Sequence, residues 1–289
     1  MPEPEVAEAP FRSGFVSVTG RPNVGKSTLV NKLVDSKVSI VSNKAQTTRH
    51  NIRGILHQPG LQIVFVDTPG ISKPKTALGK SLNDTARSVY SDVDINCLVI
   101  DAAAGFGRGD QFLADRMDCS STILIVNKID GMKPEAVAAE LSKVSALDFA
   151  AYFPLSAWTG KGVTRLATYL TSQLPEGPRW YPEEMSSDLS DSQWVAELVR
   201  EQLFHEMREE LPHSIATRVV EWDPPLVKVE ILVERDSQKG IVIGKAGEML
   251  KQVGTRVRRQ LPKGTYLELV VNVAENWQQS RTTVEEFGY

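Results

Sequence analysis

The stretch that decides the fold of this chain is GRPNVGKS at positions 20–27, which follows the short apolar run FVSV at 15–18. It matches the pattern G-x-x-x-x-G-K-[ST], and VGKSTLVNKLV at 24–34 has the composition of a helix. A strand, a glycine-containing turn and a helix N-terminus form a phosphate-binding loop, because backbone N–H groups and the helix dipole face the anion. We therefore predict that this part of the chain binds a nucleoside triphosphate.

The side chains of this loop have distinct predicted roles. Lys26 supplies a positive charge for the β- and γ-phosphates, and the hydroxyl of Ser27 can ligate Mg²⁺. The predicted nucleotide contacts of the loop are Gly20, Arg21, Pro22, Asn23, Val24, Gly25, Lys26, Ser27 and Thr28.

The choice of base is predicted from NKID at 127–130, which ends an apolar strand. The carboxylate of Asp130 can accept hydrogen bonds from both N1–H and the exocyclic amine of guanine, whereas adenine has a lone pair in place of N1–H. We expect Asn127 to hold the loop and the stem of Lys128 to lie on the face of the base. The predicted base contacts are Asn127, Lys128, Ile129 and Asp130, with Ser156 and Ala157 supplying the backbone N–H for guanine O6.

A further turn, DTPG at 67–70, follows the apolar strand LQIVFVD. Asp67 is suited to hold Mg²⁺ through water, and the N–H of Gly70 to meet the γ-phosphate. Two adjacent threonines in the polar loop 42–51, Thr47 and Thr48, could complete the Mg²⁺ shell, and we favour Thr48 because it directly precedes Arg49. The predicted contacts of the turn are Asp67, Thr68, Pro69, Gly70 and Ile71.

Apolar runs that alternate with longer segments predict an α/β fold for this half of the chain. The segments between the runs hold 20 or more residues, which is enough for crossover helices, so we expect a mostly parallel sheet covered on both faces. The predicted strands are 15–18, 61–67, 95–101, 122–128 and 150–155, and the closing helix is 163–174.

The second half has a different order of elements. A Pro-, Gly- and Ser-rich linker at 175–192 ends in Ser190, which with Gln193 fits a helix capping box. The following helix is predicted to end at Pro212. Strands at 214–222 and 226–233, a helical stretch at 237–261 and a last strand at 266–273 then predict a smaller α-β-β-α-α-β domain.

Composition and charge limit the class of protein. The 289 residues are 41% hydrophobic and 24% charged, with two cysteines and a net charge of −3, which is typical of a globular protein without a disulfide framework. Residues 176–210 carry a net charge of −7, whereas residues 239–263 carry +6. Because basic residues around glycines suit a nucleic-acid backbone, we expect the second domain to bind nucleic acid.

Two stretches carry a resemblance to a known family. KAQTTRH at 44–50 resembles the effector loop of the Era family of bacterial GTPases, within a segment that is similar to TRAFAC-class GTPase domains. ERDSQKGIVIGKAG at 234–247 resembles the type II KH domain at the C-terminus of that family. The expected organisation is a disordered acidic tail at 1–13, a P-loop GTPase domain at 14–175, a linker at 176–192 and a KH domain at 193–289.

The resemblance implies a function. Era-family GTPases bind GTP and GDP with Mg²⁺, bind the 3′ end of 16S ribosomal RNA and act in assembly of the 30S subunit. They are cytoplasmic and associate peripherally with the inner membrane. A G-x-x-G loop clamps about four single-stranded nucleotides. The predicted RNA contacts are Ile241, Ile243, Gly244, Lys245, Ala246, Gly247 and Lys251, where Ala246 replaces a glycine that family members often carry and some of residues 241–243 must be core.

Hydrolysis is predicted to be slow without help. Ile71 stands where many regulatory GTPases have a water-orienting glutamine, so catalysis would depend on Lys26, Mg²⁺, Thr48 and the loop amides. Asn23 is either a helper that holds K⁺ beside the phosphates or a plain turn residue.

Two other functions stay open. A small-molecule P-loop kinase is disfavoured by the turns at 67–70 and 127–130. A non-catalytic, membrane-peripheral scaffold whose second domain binds protein is favoured by Ile71 and disfavoured by the basic stretch. The leading hypothesis is a GTP-switched RNA-binding factor in which loops 42–51 and 67–90 reorder with the nucleotide.

Overall fold

The computed structural model describes residues 10–207 and 211–289. Most of the predicted disordered tail at 1–13 lies outside the described residues, and the first strand begins at Arg12. The strands are β1 (Arg12–Gly20), β2 (Ile52–Gln58), β3 (Leu61–Asp67), β4 (Ile95–Asp101), β5 (Thr122–Asn127), β6 (Ala151–Pro154), β7 (Ala216–Asp223), β8 (Leu226–Val233) and β9 (Tyr266–Val273).

The α-helices of the described chain are α1 (Lys26–Val34), α2 (Ala77–Arg87), α3 (Arg108–Ala114), α4 (Pro134–Val144), α5 (Val163–Gln173), α6 (Asp191–Glu206), α7 (Asp236–Ile243), α8 (Glu248–Arg258) and α9 (Arg281–Glu286). These elements form two compact units. The first unit runs to Ser39 and then comprises 52–68 and 88–188, and the second comprises 40–51, 69–87 and 189–289.

The first unit is a six-stranded sheet in the order β2-β3-β1-β4-β5-β6. All neighbouring pairs are parallel except β2 and β3. Every residue of β3 and of β5 is buried, because helices cover both faces of a parallel sheet. The mostly parallel α/β prediction is confirmed. Its core includes Val16, Val18, Leu29, Val30, Ile63, Phe65, Val99, Ile125 and Leu166.

The antiparallel edge strand β2 was missed by the sequence analysis. Its sequence, IRGILHQ, contains a glycine and three polar or charged residues, and its buried and part-buried positions do not alternate regularly. The antiparallel pairing with β3 needs only the two-residue connection at 59–60. The strand is therefore not joined to β3 by a crossover helix, the pattern from which the other strands were predicted.

The second unit contains a three-stranded sheet in the order β7-β8-β9, with β7 antiparallel and β9 parallel to β8. Helices α6, α7 and α8 complete the predicted α-β-β-α-α-β order. The capping box of α6 is present, since the Ser190 hydroxyl accepts from Gln193 N and the Gln193 side chain accepts from Ser190 N.

Two helix predictions in this unit need correction. Helix α6 ends at Glu206 and Met207 is extended, so Pro212 does not end it and instead lies in the single turn Leu211–Ser214. Helix α9 was not predicted, because it has six residues and buries only Val284. In the described part of the chain, no helix is both long and apolar enough to cross a bilayer.

Candidate functional site

The phosphate loop turns tightly into α1 at Gly25. Gly25 is the residue before the helix and has φ of 97°, a left-handed conformation that most side chains avoid. A Cβ atom there would lie 2.3 Å from Nδ2 of Asn127, so a side chain would collide with the loop that is predicted to recognise the base. The second glycine of the motif is therefore required by both its backbone angle and its neighbour.

Lys26 is buried beside this turn. Its side chain is 6% exposed and its Nζ donates to the carbonyl of Arg21 at 3.1 Å. Burial lowers the pKa of Lys26 to about 8, and the carboxylate of Asp67 opposes that shift. Asp67, at the end of β3, is itself fully buried. The loop therefore holds a lysine whose positive charge is incompletely stabilised, which is a suitable environment for an incoming anion.

The predicted base loop is hydrogen-bonded to the phosphate loop through Asn127. Its Nδ2 donates to the carbonyl of Val24 at 2.8 Å, and its Oδ1 accepts from the N–H of Ala157 at 2.9 Å. One amide thus joins three loops that are far apart in the sequence, which is the holding role predicted for it.

The neighbouring side chains extend this network. Lys128 Nζ donates to the carbonyl of Asn23 at 2.5 Å and to Oδ2 of Asp101 at 2.7 Å, so its stem runs between the two loops. The hydroxyl of Ser156 donates to Oδ1 of Asp130 at 2.5 Å. The structure therefore brings residues 20–28, 127–130 and 156–157 together in one unit.

Asn23 has a conformation that fits a turn residue. Its φ is 65°, in the left-handed region that asparagine tolerates better than most residues, and the residue is exposed. This backbone geometry gives the plain-turn interpretation a structural basis, and the K⁺-binding role stays a prediction.

The oxygen donors of the first unit fit a divalent metal held with a nucleotide. The hydroxyl of Ser27 and the carboxylate of Asp67 are hard donors of the kind that Mg²⁺ prefers. Thr68 is used structurally, since its hydroxyl donates to the carbonyl of Val18 at 3.1 Å. Residues 10–207 and 211–289 contain no group of three or more His, Cys, Asp or Glu that could hold a metal by protein ligands alone.

The remaining predicted nucleotide residues belong to the second unit. These residues are Thr48, Pro69, Gly70 and Ile71. The hydroxyl of Thr47 donates to the carbonyl of Lys44 at 2.7 Å and shares a hydrogen bond with Ser42, so it is used within its own loop. The choice of Thr48 over Thr47 as a metal ligand stays a prediction.

Sequence reasoning missed the packing of Arg49. This arginine is 1% exposed and donates to the carbonyls of Ile215 at 2.6 Å and His213 at 3.2 Å. Its guanidinium lies 5.6 Å from the ring centroid of Trp277 and 5.2 Å from that of Tyr289. Burial lowers the pKa of Arg49, and Tyr289 opposes the shift. The local sequence around Arg49 does not indicate these contacts, because the residues that Arg49 contacts lie more than 160 positions away.

The other segment predicted to reorder packs on the same elements. Leu78 and Leu82 of α2 belong to a buried cluster with Ala216, Leu232, Trp277 and Val284. In addition, the N–H of Val41 donates to Oε1 of Glu201 at 3.0 Å. Within the second unit, segments 40–51 and 69–87 are therefore both packed against the C-terminal part of the chain.

The G-x-x-G loop begins with a turn that requires glycine. Gly244 has φ of 74° and ψ of 174°, and a Cβ atom there would lie 2.7 Å from Cβ of Met249. Ile241 is 57% exposed, Val242 is fully buried and Ile243 is partly buried against the core. Val242 is thus the core member of the apolar triplet, and Ile241 is the side chain available to a ligand.

A basic groove runs from this loop along α8. Its volume is about 520 Å³, and its lining includes Lys245, Lys251, Arg256 and Arg259. Arg256 is ion-paired with Glu206 at the end of α6. The predicted RNA contacts Lys245, Ala246 and Lys251 therefore lie on one surface with two further arginines.

Comparisons with known proteins identify a GTPase family in the first half of the chain and a KH domain family in the second half. A family described as 50S ribosome-binding GTPase matches residues 15–128, and a KH domain family matches residues 199–278. The chain is 45% identical to GTPase Era of Mycobacterium avium, in an alignment that covers 96% of this chain and 99% of the relative. The same identity and coverage relate it to GTPase Era of Mycolicibacterium smegmatis.

Two solved structures match nearly the whole chain. The first is Era in complex with MgGDPNP and nucleotides 1506–1542 of 16S ribosomal RNA, with a TM-score of 0.93 and 36% identity. The second is an Aquifex aeolicus Era variant bound to GDP and AlF4⁻, with a TM-score of 0.91 and 36% identity. Each match covers 96% of this chain and 99% of the solved one.

Proposed function

The chain belongs to the GTPase Era family, and on this basis we propose that it binds and hydrolyses GTP, binds 16S ribosomal RNA near the 3′ end and acts in assembly of the 30S subunit. The observation that carries the proposal is the hydrogen-bonded connection of the phosphate loop to the base loop through Asn127. It occurs in a chain that matches, over 96% of its length, an Era protein solved with both a GTP analogue and 16S RNA.

The roles of the nucleotide residues follow from their chemistry. Lys26 and the backbone N–H groups of 20–28 would hold the phosphates, and Asp130 would accept from N1–H and the amine of guanine. Ser27, Asp67 and Thr48 would hold Mg²⁺. When bound, Mg²⁺ supplies charge neutralisation at the phosphates. The proposal is a site that reads the base through one carboxylate and holds the phosphates through the backbone.

Hydrolysis would depend on electrostatics rather than on a general base. Ile71 is 3% exposed and aliphatic, so its side chain cannot orient a water molecule. Lys26 and the loop amides would stabilise the charge that develops on the transferred phosphoryl group. Asn23 would add K⁺ at the same phosphates, and equal hydrolysis rates in Na⁺ and K⁺ would exclude that role.

RNA binding would use the G-x-x-G loop and the basic groove of α8. The exposed Ile241 supports an apolar contact with a base, and Lys245 and Lys251 support contacts with phosphates. The packing of segments 40–51 and 69–87 on C-terminal elements supports coupling to the nucleotide. We expect tighter RNA binding with a GTP analogue than with GDP.

The alternative functions are not favoured. A small-molecule kinase does not explain the basic groove, and a protein-binding scaffold does not explain the match to an RNA-bound Era structure. We propose a cytoplasmic location, where 16S RNA is found. Peripheral membrane association stays a prediction.

The function is tested by exchanging the base-reading carboxylate. Asp130→Asn replaces an acceptor for the guanine amine with a donor, which suits the 2-oxo group of xanthine. We expect GTP affinity to fall at least tenfold and GTP hydrolysis to be replaced by hydrolysis of xanthosine triphosphate. Nucleotide binding is measured by calorimetry, and hydrolysis by phosphate release.

The matched control is Asp92→Asn, which makes the same chemical change at an exposed aspartate of the first unit. It should behave as the wild type does. A wild-type protein that binds ATP as well as GTP, or that phosphorylates an acceptor, would overturn the proposal. Binding of an RNA with the sequence of the 16S 3′ end, measured by fluorescence anisotropy, tests the second half.

A further inference from the structure

Trp158 is the most exposed of the large hydrophobic side chains in the described ranges. It is 81% exposed and follows Ala157 in the loop between β6 and α5. Indole rings bury a large apolar area when they pack, so an exposed indole beside a binding site offers a flat apolar surface to a ligand. Across residues 10–207 and 211–289, Trp158 makes no side-chain hydrogen bond or ring contact.

The backbone that carries this side chain is nevertheless well held. The N–H of Ser156 donates to the carbonyl of Lys161 at 2.9 Å, and the N–H of Gly160 donates to the carbonyl of Ser156 at 2.8 Å. The N–H of Thr159 also donates to the hydroxyl of Ser156 at 3.1 Å. The loop is therefore an ordered turn that presents an unpacked aromatic ring.

The turn is directly bonded to the base-reading residues. The N–H of Ala157, one residue before Trp158, donates to Oδ1 of Asn127, and the hydroxyl of Ser156 donates to Asp130. Consecutive Cα atoms are 3.8 Å apart, so the indole begins within one residue of the predicted contact with guanine O6. A ring of this size can reach a base held there.

One face of the base is predicted to lie against the stem of Lys128. Lys128 Nζ is held by the carbonyl of Asn23 and by Asp101, which commits the stem of Lys128 to the side of the phosphate loop. A flat base has two faces, and the stem of Lys128 would cover only one of them. The loop at 156–160 is also bonded to the base-reading residues, through Ser156 and Ala157, and it carries an exposed ring.

We propose that Trp158 stacks on the guanine base of bound GTP or GDP, on the face opposite the stem of Lys128. This inference rests on the proposed guanine-nucleotide binding and assigns a further residue to the same site. Stacking on an aromatic ring accepts any base, whereas Asp130 distinguishes bases by hydrogen bonding. Trp158 therefore raises the affinity and the residence time of the nucleotide without changing its selectivity.

The test compares Trp158→Leu and Trp158→Phe with the wild-type protein. We expect Trp158→Leu to raise the Kd for unlabelled GDP about tenfold, mainly through faster dissociation, and Trp158→Phe to retain most of the affinity. The ratio of Kd values for IDP and GDP should stay at its wild-type value in both variants, because IDP lacks only the amine that Asp130 reads. Calorimetry gives the Kd values.

Tryptophan fluorescence supplies an independent readout. GDP should change the emission of the wild-type protein and of the matched control Trp180→Phe, which alters another exposed tryptophan of the same unit. It should not change the emission of Trp158→Phe. Thermal melts by circular dichroism should be unchanged, since the indole removed is in water.

The outcomes separate the two proposals. A wild-type protein that does not bind GDP would overturn guanine-nucleotide binding and the stacking with it. A wild-type protein that binds GDP, together with a Trp158→Leu variant of equal Kd and dissociation rate, would overturn the stacking alone. That second result would assign the exposed ring to contact with another macromolecule.

Discussion

At the scale of single residues, Lys26 shows how burial prepares a binding site. A lysine taken out of water loses hydration of its charge, and the carboxylate of Asp67 compensates for only part of that loss. The pKa near 8 means that an added anion, such as a phosphate, stabilises the charged form and raises the pKa. Nucleotide binding is therefore coupled to proton uptake.

This coupling predicts a pH dependence of nucleotide affinity. Above about pH 8 the nucleotide-free protein has a neutral Lys26, so binding must take up a proton and GDP affinity should fall as pH rises, by at most tenfold per pH unit. Calorimetry at pH 8.5 in buffers of different ionisation enthalpy measures the proton uptake. An affinity that is constant or rises between pH 8 and pH 9.5 would contradict it.

The same pKa has the opposite consequence for folding. The unfolded chain binds more protons at Lys26 than the folded chain does between pH 8 and the ordinary lysine value of 10.5. The contribution of Lys26 to the free energy of unfolding therefore increases across that window. The lowered pKa of Lys26 thus weakens nucleotide binding at high pH and stabilises the nucleotide-free protein over the same range.

At the scale of elements, α6 and α8 meet at an ion pair beside the groove that is predicted to bind RNA. Glu206, near the end of α6, binds Arg256, which lines the basic groove on α8 and is 46% exposed. A partly exposed pair of this kind contributes less than about 1 kcal/mol to stability. The ion pair nevertheless holds Arg256, one of the two arginines that line the groove.

Glu206→Gln should release Arg256 for a phosphate. We expect tighter RNA binding, and a plot of log affinity against log salt concentration that is steeper by about 0.7, the value for one added phosphate contact on a single strand. Fluorescence anisotropy at salt concentrations from about 50 to about 300 mM measures both the affinity and the slope. Glu285→Gln, which breaks the exposed pair with Arg281, is the control and should leave the slope unchanged.

An unchanged slope in Glu206→Gln would mean that Arg256 lies off the RNA path. A higher affinity at constant slope would then reflect only the weaker long-range repulsion from the acidic helix. The slope therefore decides between a new contact and a general effect of charge.

At the scale of the whole molecule, the chain is divided in an order that differs from its sequence. Segments 40–51 and 69–87 belong to the unit that holds the KH domain, although they lie between strands of the other unit. Arg49 is held there by two backbone carbonyls and two aromatic rings, and Leu78 and Leu82 by an apolar cluster. Nucleotide-dependent movement of these segments would therefore act on the elements that they pack against.

Arg49→Lys tests this coupling. Lysine keeps the charge but cannot make the two divergent hydrogen bonds or the planar stacking of a guanidinium. We expect the ratio of RNA affinities in the GTP-analogue and GDP states to fall towards 1, while RNA binding with GDP persists. Arg53→Lys, at a partly exposed pair with Asp188, is the control and should keep the wild-type ratio.

Retention of the wild-type ratio in a folded Arg49→Lys protein would exclude Arg49 from the coupling. Loss of RNA binding in both states would show that Arg49 supports the structure of the KH domain instead. Hydrogen bonds from a charged donor contribute about 1.5–3 kcal/mol each, so a melt by circular dichroism accompanies the assay.

The sequence by itself determined the chemistry of this protein, and only the tertiary structure decided its organisation. Lys26, Asn127 and Asp130 could be proposed as nucleotide residues from the sequence, because a phosphate loop and a base loop are short patterns whose residue types follow from the ligand. The α-β-β-α-α-β order could also be predicted, because periodicity reports which positions of an element are apolar.

Periodicity does not report which element an apolar face meets, and this limit explains what was missed. Arg49 is a charged residue in a polar loop, and its burial depends on carbonyls and rings more than 160 positions away. The triplet at 241–243 is uniformly apolar, so only packing separates the core Val242 from the exposed Ile241. The proposed role of Trp158 likewise depends on the tertiary structure, in which the neighbouring Ala157 is hydrogen-bonded to Asn127. Local patterns encode ligand chemistry, whereas the partner of each surface is a property of the folded chain.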